Sequence, residues 1–128
     1  MGLLAPDGTF LEVNETAMQL TSLPMEELKG MAVWQGPWFW DLPVSQAKLQ
    51  SHLLTAQAGN ISTFEIVAQG PDQTKIDVEV TYKPLFDVQG NVYQVLAEGW
   101  NITARKQAEA ALTRKRRKIP PAGRKYSP

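Results

Sequence analysis

Few side chains in this sequence have the types and spacing that catalysis needs. The 128 residues include no cysteine and one histidine. That removes thiolate nucleophiles, disulfides and Cys-ligated metals, and it leaves one imidazole for acid–base work. No His/carboxylate cluster has metal-ligand spacing, and no Gly-rich run is shaped to cradle a phosphate. Asp77 and Glu79 stand two apart on an alternating stretch, so they share one face of a strand. They read as solvated or interface surface rather than as an acid/base pair. His52 could serve haem only if it pointed inward. The chain is therefore expected to have no catalytic activity of its own. What remains is aromatic: Trp34, Trp38, Phe39 and Trp40 crowd into seven residues. They form either the wall of a ligand pocket or a lid that fills the core of a small domain.

The elements that position this cluster follow from periodicity. Residues 76–82 alternate strictly, with Ile76, Val78, Val80 and Tyr82 on one side and Asp77, Glu79 and Thr81 on the other. That is a half-buried strand, which Pro84 is expected to end. A turn built on Asp87, Gly90 and Asn91 comes next. Residues 92–100 are apolar at both parities, with Val92, Leu96 and Trp100 on one side and Tyr93, Val95 and Ala97 on the other. This strand is expected to be central and covered on both faces. Residues 60–69 form another strand with Phe64, Ile66 and Ala68 on one face, and Gly70 to Gln73 turn it into the next. Nearer the start, Pro6-Asp7-Gly8 marks a hairpin. Its first strand is so short that a piece cut from a longer protein is expected. Asn14 is placed to cap a helix carrying Ala17, Met18 and Leu20. A short helix comes after it, capped near Ser22, begun at Pro24 and stopped at Gly30. Residues 43–58 form a longer one that Gly59 ends. Leu49, Leu53 and Ala56 group on its wheel, Ala47, Leu54 and Ala58 lie beside them, and Ser45, Lys48, Ser51 and Thr55 fill a polar arc with His52 at its edge. The inner sheet face then comprises Phe64, Ile66, Val78, Val80 and Tyr82, meeting Leu53 and the aromatic segment.

The chain closes with Asn101-Ile102-Thr103-Ala104-Arg105-Lys106-Gln107-Ala108-Glu109-Ala110-Ala111-Leu112. Strand, Gly turn, strand and this junction together resemble the end of a PAS (sensory box) domain, of the type found in bacterial sensor histidine kinases and diguanylate cyclases. The resemblance covers about residues 2–112. Asn101 and Ala104 depart from the usual Asp and Glu, which weakens the charge pairing that the family uses to hold its exit helix. The resemblance implies an α+β PAS fold: a five-stranded antiparallel sheet, short helices over one face, a pocket between them and a C-terminal exit helix. It further implies a sensory module spanning 1–103, a signalling helix over 104–118 and a disordered tail over 119–128. Asn101, Ile102, Thr103, Arg105 and Lys106 form the signal junction. The pocket candidates are Trp34, Trp38, Phe39, Trp40, Leu53, Phe64, Ile66, Val78, Val80 and Tyr82, suited to a small apolar or aromatic ligand. In haem-binding relatives the ligand histidine lies close to the following strand, whereas His52 precedes Gly59 by about two helical turns, so haem is not expected. Lack of cysteine excludes a flavin–thiol photocycle and a thioester-linked chromophore, while non-covalent flavin stays open.

Charge divides the chain. Residues 1–103 carry four Lys/Arg against twelve Asp/Glu, a net of −8, and residues 104–128 carry nine against one, a net of +8. The basic run 114–118 invites a nucleic-acid reading. It lacks interleaved aromatics, however, and its cations suit the negative end of a helix dipole, so nucleic acid is not the expected partner. Ala104, Ala108, Ala111 and Leu112 fall on one narrow stripe, a seam for a second copy of the helix. No apolar run approaches the ~20 residues needed to cross a bilayer. The expected function is a sensory module, a cytoplasmic homodimer, that binds a small ligand or dimerises and passes a conformational change through its C-terminal helix to an effector such as a histidine kinase. A PAS dimerisation module with its core too full for a ligand, or nucleic-acid binding through the tail, are the alternatives.

Overall fold

The computed structural model describes residues 2–14, 18, 24–70, 72 and 74–118, with side chains described up to Leu112. Five strands form one antiparallel sheet: β1 (Gly2–Leu4), β2 (Phe10–Val13), β3 (Ser62–Gln69), β4 (Lys75–Phe86) and β5 (Val92–Asn101). Their order across the sheet is β2-β1-β5-β4-β3, so the first and last strands of the chain meet in the middle and β3 forms one edge. Between β2 and β3 come α1 (Met25–Leu28), two short 3₁₀ turns (Val33–Gln35 and Pro37–Phe39) and α2 (Pro43–Gln57). The last helix, α3 (Thr103–Lys118), leaves directly from β5.

Turn chemistry sets the hairpins. Asp7 Oδ1 accepts from the Thr9 N–H at 3.0 Å and from its hydroxyl at 2.8 Å. Gly8 sits at φ 93°, and a Cβ there would lie 2.8 Å from both Leu53 and Trp34. Only glycine fits a left-handed turn pressed against two core side chains. Asp87 Oδ1 likewise accepts from the Gln89 and Asn91 N–H groups at 2.9 Å each, tightening the β4–β5 turn.

The β3–β4 register is regular, with Phe64 opposite Val80 and Ser62 opposite Tyr82. Strand parity therefore delivers Phe64, Ile66, Ala68, Val80 and Tyr82 to one buried face, as the alternation predicts. There they meet Leu49, Leu53 and Ala56 from α2 and Phe10 from β2.

Four expectations need correction. Pro84 does not end β4, which runs on to Phe86. The β3 ladder stops at Tyr82, so beyond it β4 has an open side where a proline costs no ladder bond. Strand β5 is central but not covered on both faces, for Trp100 is 60% exposed. Its parity also breaks: Phe86 pairs with Val92 while Leu85 pairs with Gln94, leaving Tyr93 as the extra residue of a bulge. Val92 thereby joins the core side and Tyr93 turns out to solvent. Finally, α1 begins at Met25 with Pro24 in the capping position, one residue later than the sequence suggests. The helix expected after Asn14 lies mostly outside the described residues, as do Ser22 and the tail beyond 118.

Candidate functional site

Of the pocket candidates, Trp38, Phe39, Leu53, Phe64, Ile66, Val80 and Tyr82 are buried in one cluster, and Trp34 and Val78 pack partly buried against it. Their rings touch one another. Phe64 meets Tyr82 edge-on at 5.3 Å, Trp38 meets Phe10 at 5.7 Å, and Trp38 and Phe39 lie 6.3 Å apart. Such edge-on and tilted contacts between rings add to the burial itself. The Tyr82 hydroxyl donates to the Leu49 carbonyl at 3.1 Å, and burial pushes its pKa upward. That phenol is a structural tie between β4 and α2.

Trp40 departs from the group. It is 48% exposed, and its indole N–H donates to the Gln35 carbonyl at 2.9 Å. The chain turns outward there, and Asp41 stands at φ 60° before α2 begins.

His52, expected at the edge of the polar arc, is half-buried there and turned to β3. Its ring stacks on Phe64 at 4.1 Å and 6°, and Nδ1 lies 2.7 Å from the Ser62 hydroxyl. Ser45 and Lys48 share this behaviour. The Ser45 hydroxyl donates to the Val67 carbonyl at 2.7 Å and accepts from the Val67 N–H at 3.1 Å, and Lys48 Nζ donates to the Glu65 carbonyl at 3.0 Å. The arc that a helical wheel assigns to solvent thus faces the edge strand β3 and occupies its free backbone groups. Ser51 and Thr55 do lie in solvent. Among the described residues, no group of three or more His, Asp or Glu is placed to hold a metal ion.

The junction is densely bonded among the described residues. Asn101 Oδ1 accepts from the Thr103 N–H at 3.0 Å. The Asp77 backbone then takes hold of the next two residues: its carbonyl accepts from the Ile102 N–H at 2.8 Å, and its N–H donates to the Thr103 hydroxyl at 3.0 Å. Ile102 is buried. One turn on, Arg105 reaches Glu65 at 3.2 Å and Glu79 at 3.8 Å, and Lys106 reaches Glu65 at 2.6 Å. Glu65 and Glu79 stand directly opposite one another on β3 and β4. Two facing carboxylates repel, so Arg105 and Lys106 resolve a conflict built into the sheet. Their bond and charge hold the Glu65 carboxyl below its usual range and raise the Lys106 ammonium. The Asn101 and Ala104 departures therefore leave α3 held by charge after all, through partners in the sheet. Ala104, Ala108, Ala111 and Leu112 are all exposed, with no partner surface within the described residues.

Comparison with known proteins agrees with this architecture. A family model described as the PAS fold matches residues 1–107. The chain is 32% identical over 122 residues to the sensor histidine kinase TmoS of Ectopseudomonas mendocina, covering 93% of this chain and 12% of that protein. It is 26% identical over 121 residues to hybrid signal transduction histidine kinase D of Dictyostelium discoideum, covering 93% and 8%. The PAS domain of a Colwellia psychrerythraea protein superposes with a TM-score of 0.64 at 18% identity, covering 80% of this chain and 85% of that one. The chain belongs to the PAS family. It spans about a tenth of the length of the curated relatives it matches. No described helix is long and apolar enough to cross a membrane.

Proposed function

We propose that this PAS domain is the sensory input module of a longer signalling protein of the histidine-kinase type, and that it passes changes in its sheet to an effector through α3. The observation that carries this reading is the junction. Asp77 of β4 holds Ile102 and Thr103, while Glu65 of β3 and Glu79 of β4 hold Arg105 and Lys106. A shift of β3 against β4 is expected to be felt at the first turn of α3, because one helix turn bonds to both strands. Such a device biases a two-state equilibrium instead of performing chemistry.

The mutual contacts of the core rings favour an input that is a contact, with a second copy or a neighbouring domain, over a resident ligand. A small apolar ligand held by Trp34, Trp38, Phe39 and Tyr82 is the second reading, and it requires the ring contacts to open. Native mass spectrometry and an absorption scan of freshly purified protein separate the two: a bound mass or a chromophore band supports the ligand, and the bare chain mass with protein absorption alone supports the contact. The relay itself is tested by grafting residues 1–118 in place of the matching segment of TmoS and measuring autophosphorylation. Arg105→Gln with Lys106→Gln is expected to shift the kinase output. An output identical to that of the unmutated graft, from an equally folded protein, overturns the relay.

A further inference from the structure

An open groove of about 400 Å³ lies outside the aromatic core, between the start of α2, the edge strand β3, the start of β4 and the first turn of α3. Leu42, Pro43, Val44 and Val67 give it largely aliphatic walls. Its charged lining is Lys48, Lys75, Lys106, Glu65 and Asp77. In a body with only four lysines and twelve carboxylates before residue 104, two of those lysines open into this one groove and α3 adds a third. Glu65 is engaged by Arg105 and Lys106, and Lys48 is turned to the Glu65 carbonyl. The Lys75 ammonium makes no ion pair among the described residues.

We propose that this groove binds a small amphiphilic carboxylic acid, its chain against the aliphatic walls and its carboxylate on Lys75 and Lys106, in competition with Glu65. Volume and lining fit a small organic ligand held by few polar groups. Charge sets the sign: three ammonium groups face two carboxylates, one of them already shared with Arg105. A second carboxylate on Lys106 loosens its hold on Glu65, so occupancy reaches the junction that holds α3. By linkage the effect is reciprocal, and weakening the Glu65 contact must strengthen acid binding by the same factor. This inference rests on the relay for its consequence, though not for the binding itself.

The probe is hexanoate, titrated into the ¹⁵N-labelled chain at fixed ionic strength, with hexanamide as the uncharged control. Few heavy atoms in an open groove make a weak, about millimolar affinity the expectation. Saturable shifts are expected at Val44, Val67 and Lys75, with hexanamide binding several-fold more weakly. Lys75→Gln is expected to weaken hexanoate about two- to five-fold, the range of one exposed charge contact, and Glu65→Gln to tighten it by a similar factor. Equal binding of acid and amide, or no saturable shift, overturns the site. Hexanoate affinity unchanged in Glu65→Gln overturns the competition. If hexanoate binds as expected yet the TmoS graft ignores the Arg105/Lys106 substitutions, the relay fails and the site stands.

Discussion

A single hydroxyl, that of Ser45, meets both polar backbone groups of Val67 and so does for the β3 edge what a sixth strand would do. Ser45 is 4% exposed and Val67 half-buried, so removing the hydroxyl leaves two backbone polar groups only partly open to water. Ser45→Ala is expected to cost about 1–3 kcal/mol, read as a lower urea midpoint at unchanged slope. Ser51→Ala, on the exposed side of the same helix, is expected to stay within about 0.5 kcal/mol. Deeper in, Val80 is 6% exposed and faces Phe64 across the sheet. Val80→Asp is expected to unfold the domain, because an unpaired buried charge costs several kcal/mol, and loss of the near-ultraviolet dichroism of the packed aromatics would report it. The two residues are not equally legible. Val80 is readable from strand alternation alone, since in a sheet parity decides the face. Ser45 is not, since a helical wheel gives an angle but not what lies there, and here the neighbour is an edge strand with backbone groups to satisfy.

The same limit applies between elements. Alternation identifies the inner faces of β3 and β4, and turn residues locate their hairpins. Parity alone cannot find the bulge at Tyr93, which shifts one end of β5 by a residue. The clasp on α3 leaves a trace in the sequence that is readable only with register in hand. Glu65 and Glu79 fall opposite each other, and such a pair calls for a cation that Arg105 and Lys106 supply from forty residues away. Because the Glu65 carboxyl is held below its ordinary range, first by the Lys106 hydrogen bond and then by the nearby charges, the clasp has a definite pH sense. Its stabilisation is present above the ordinary carboxylate range and is lost as pH falls through the lowered folded value. Protection of the amides of Arg105 to Glu109, corrected for intrinsic exchange, is expected to fall on acidification through that window. In Glu65→Gln it is expected to start lower and change less. A parent and a variant with the same pH profile would place the clasp's strength elsewhere.

At the scale of the whole molecule, the packed core and the junction account for residues up to Lys106, and beyond them the described side chains of α3, Gln107 to Leu112, lie exposed. Helix α3 spans sixteen residues, and from Ala104 to Leu112 every side chain is exposed. An isolated helix of that length is marginal in water, so its order calls for a partner. The stripe of Ala104, Ala108, Ala111 and Leu112 is narrow and small, which permits close approach of a second helix. It buries little: at about 25 cal/mol per Å² such a seam supplies at most a few kcal/mol. That falls below what a standard interface of about 800 Å² per partner offers, so a helix-mediated dimer is expected to dissociate on dilution. Sedimentation across a concentration series is expected to show a monomer–dimer equilibrium. Ala108→Glu places a carboxylate from each copy into the seam and is expected to move that equilibrium toward monomer, with the urea midpoint of the sheet core unchanged. A parent that is monomeric at every concentration, or a variant dimer of unchanged affinity, would remove α3 as the contact. The partly apolar outer sheet face, where Trp100 stands 60% exposed, would then be the surface to mutate next.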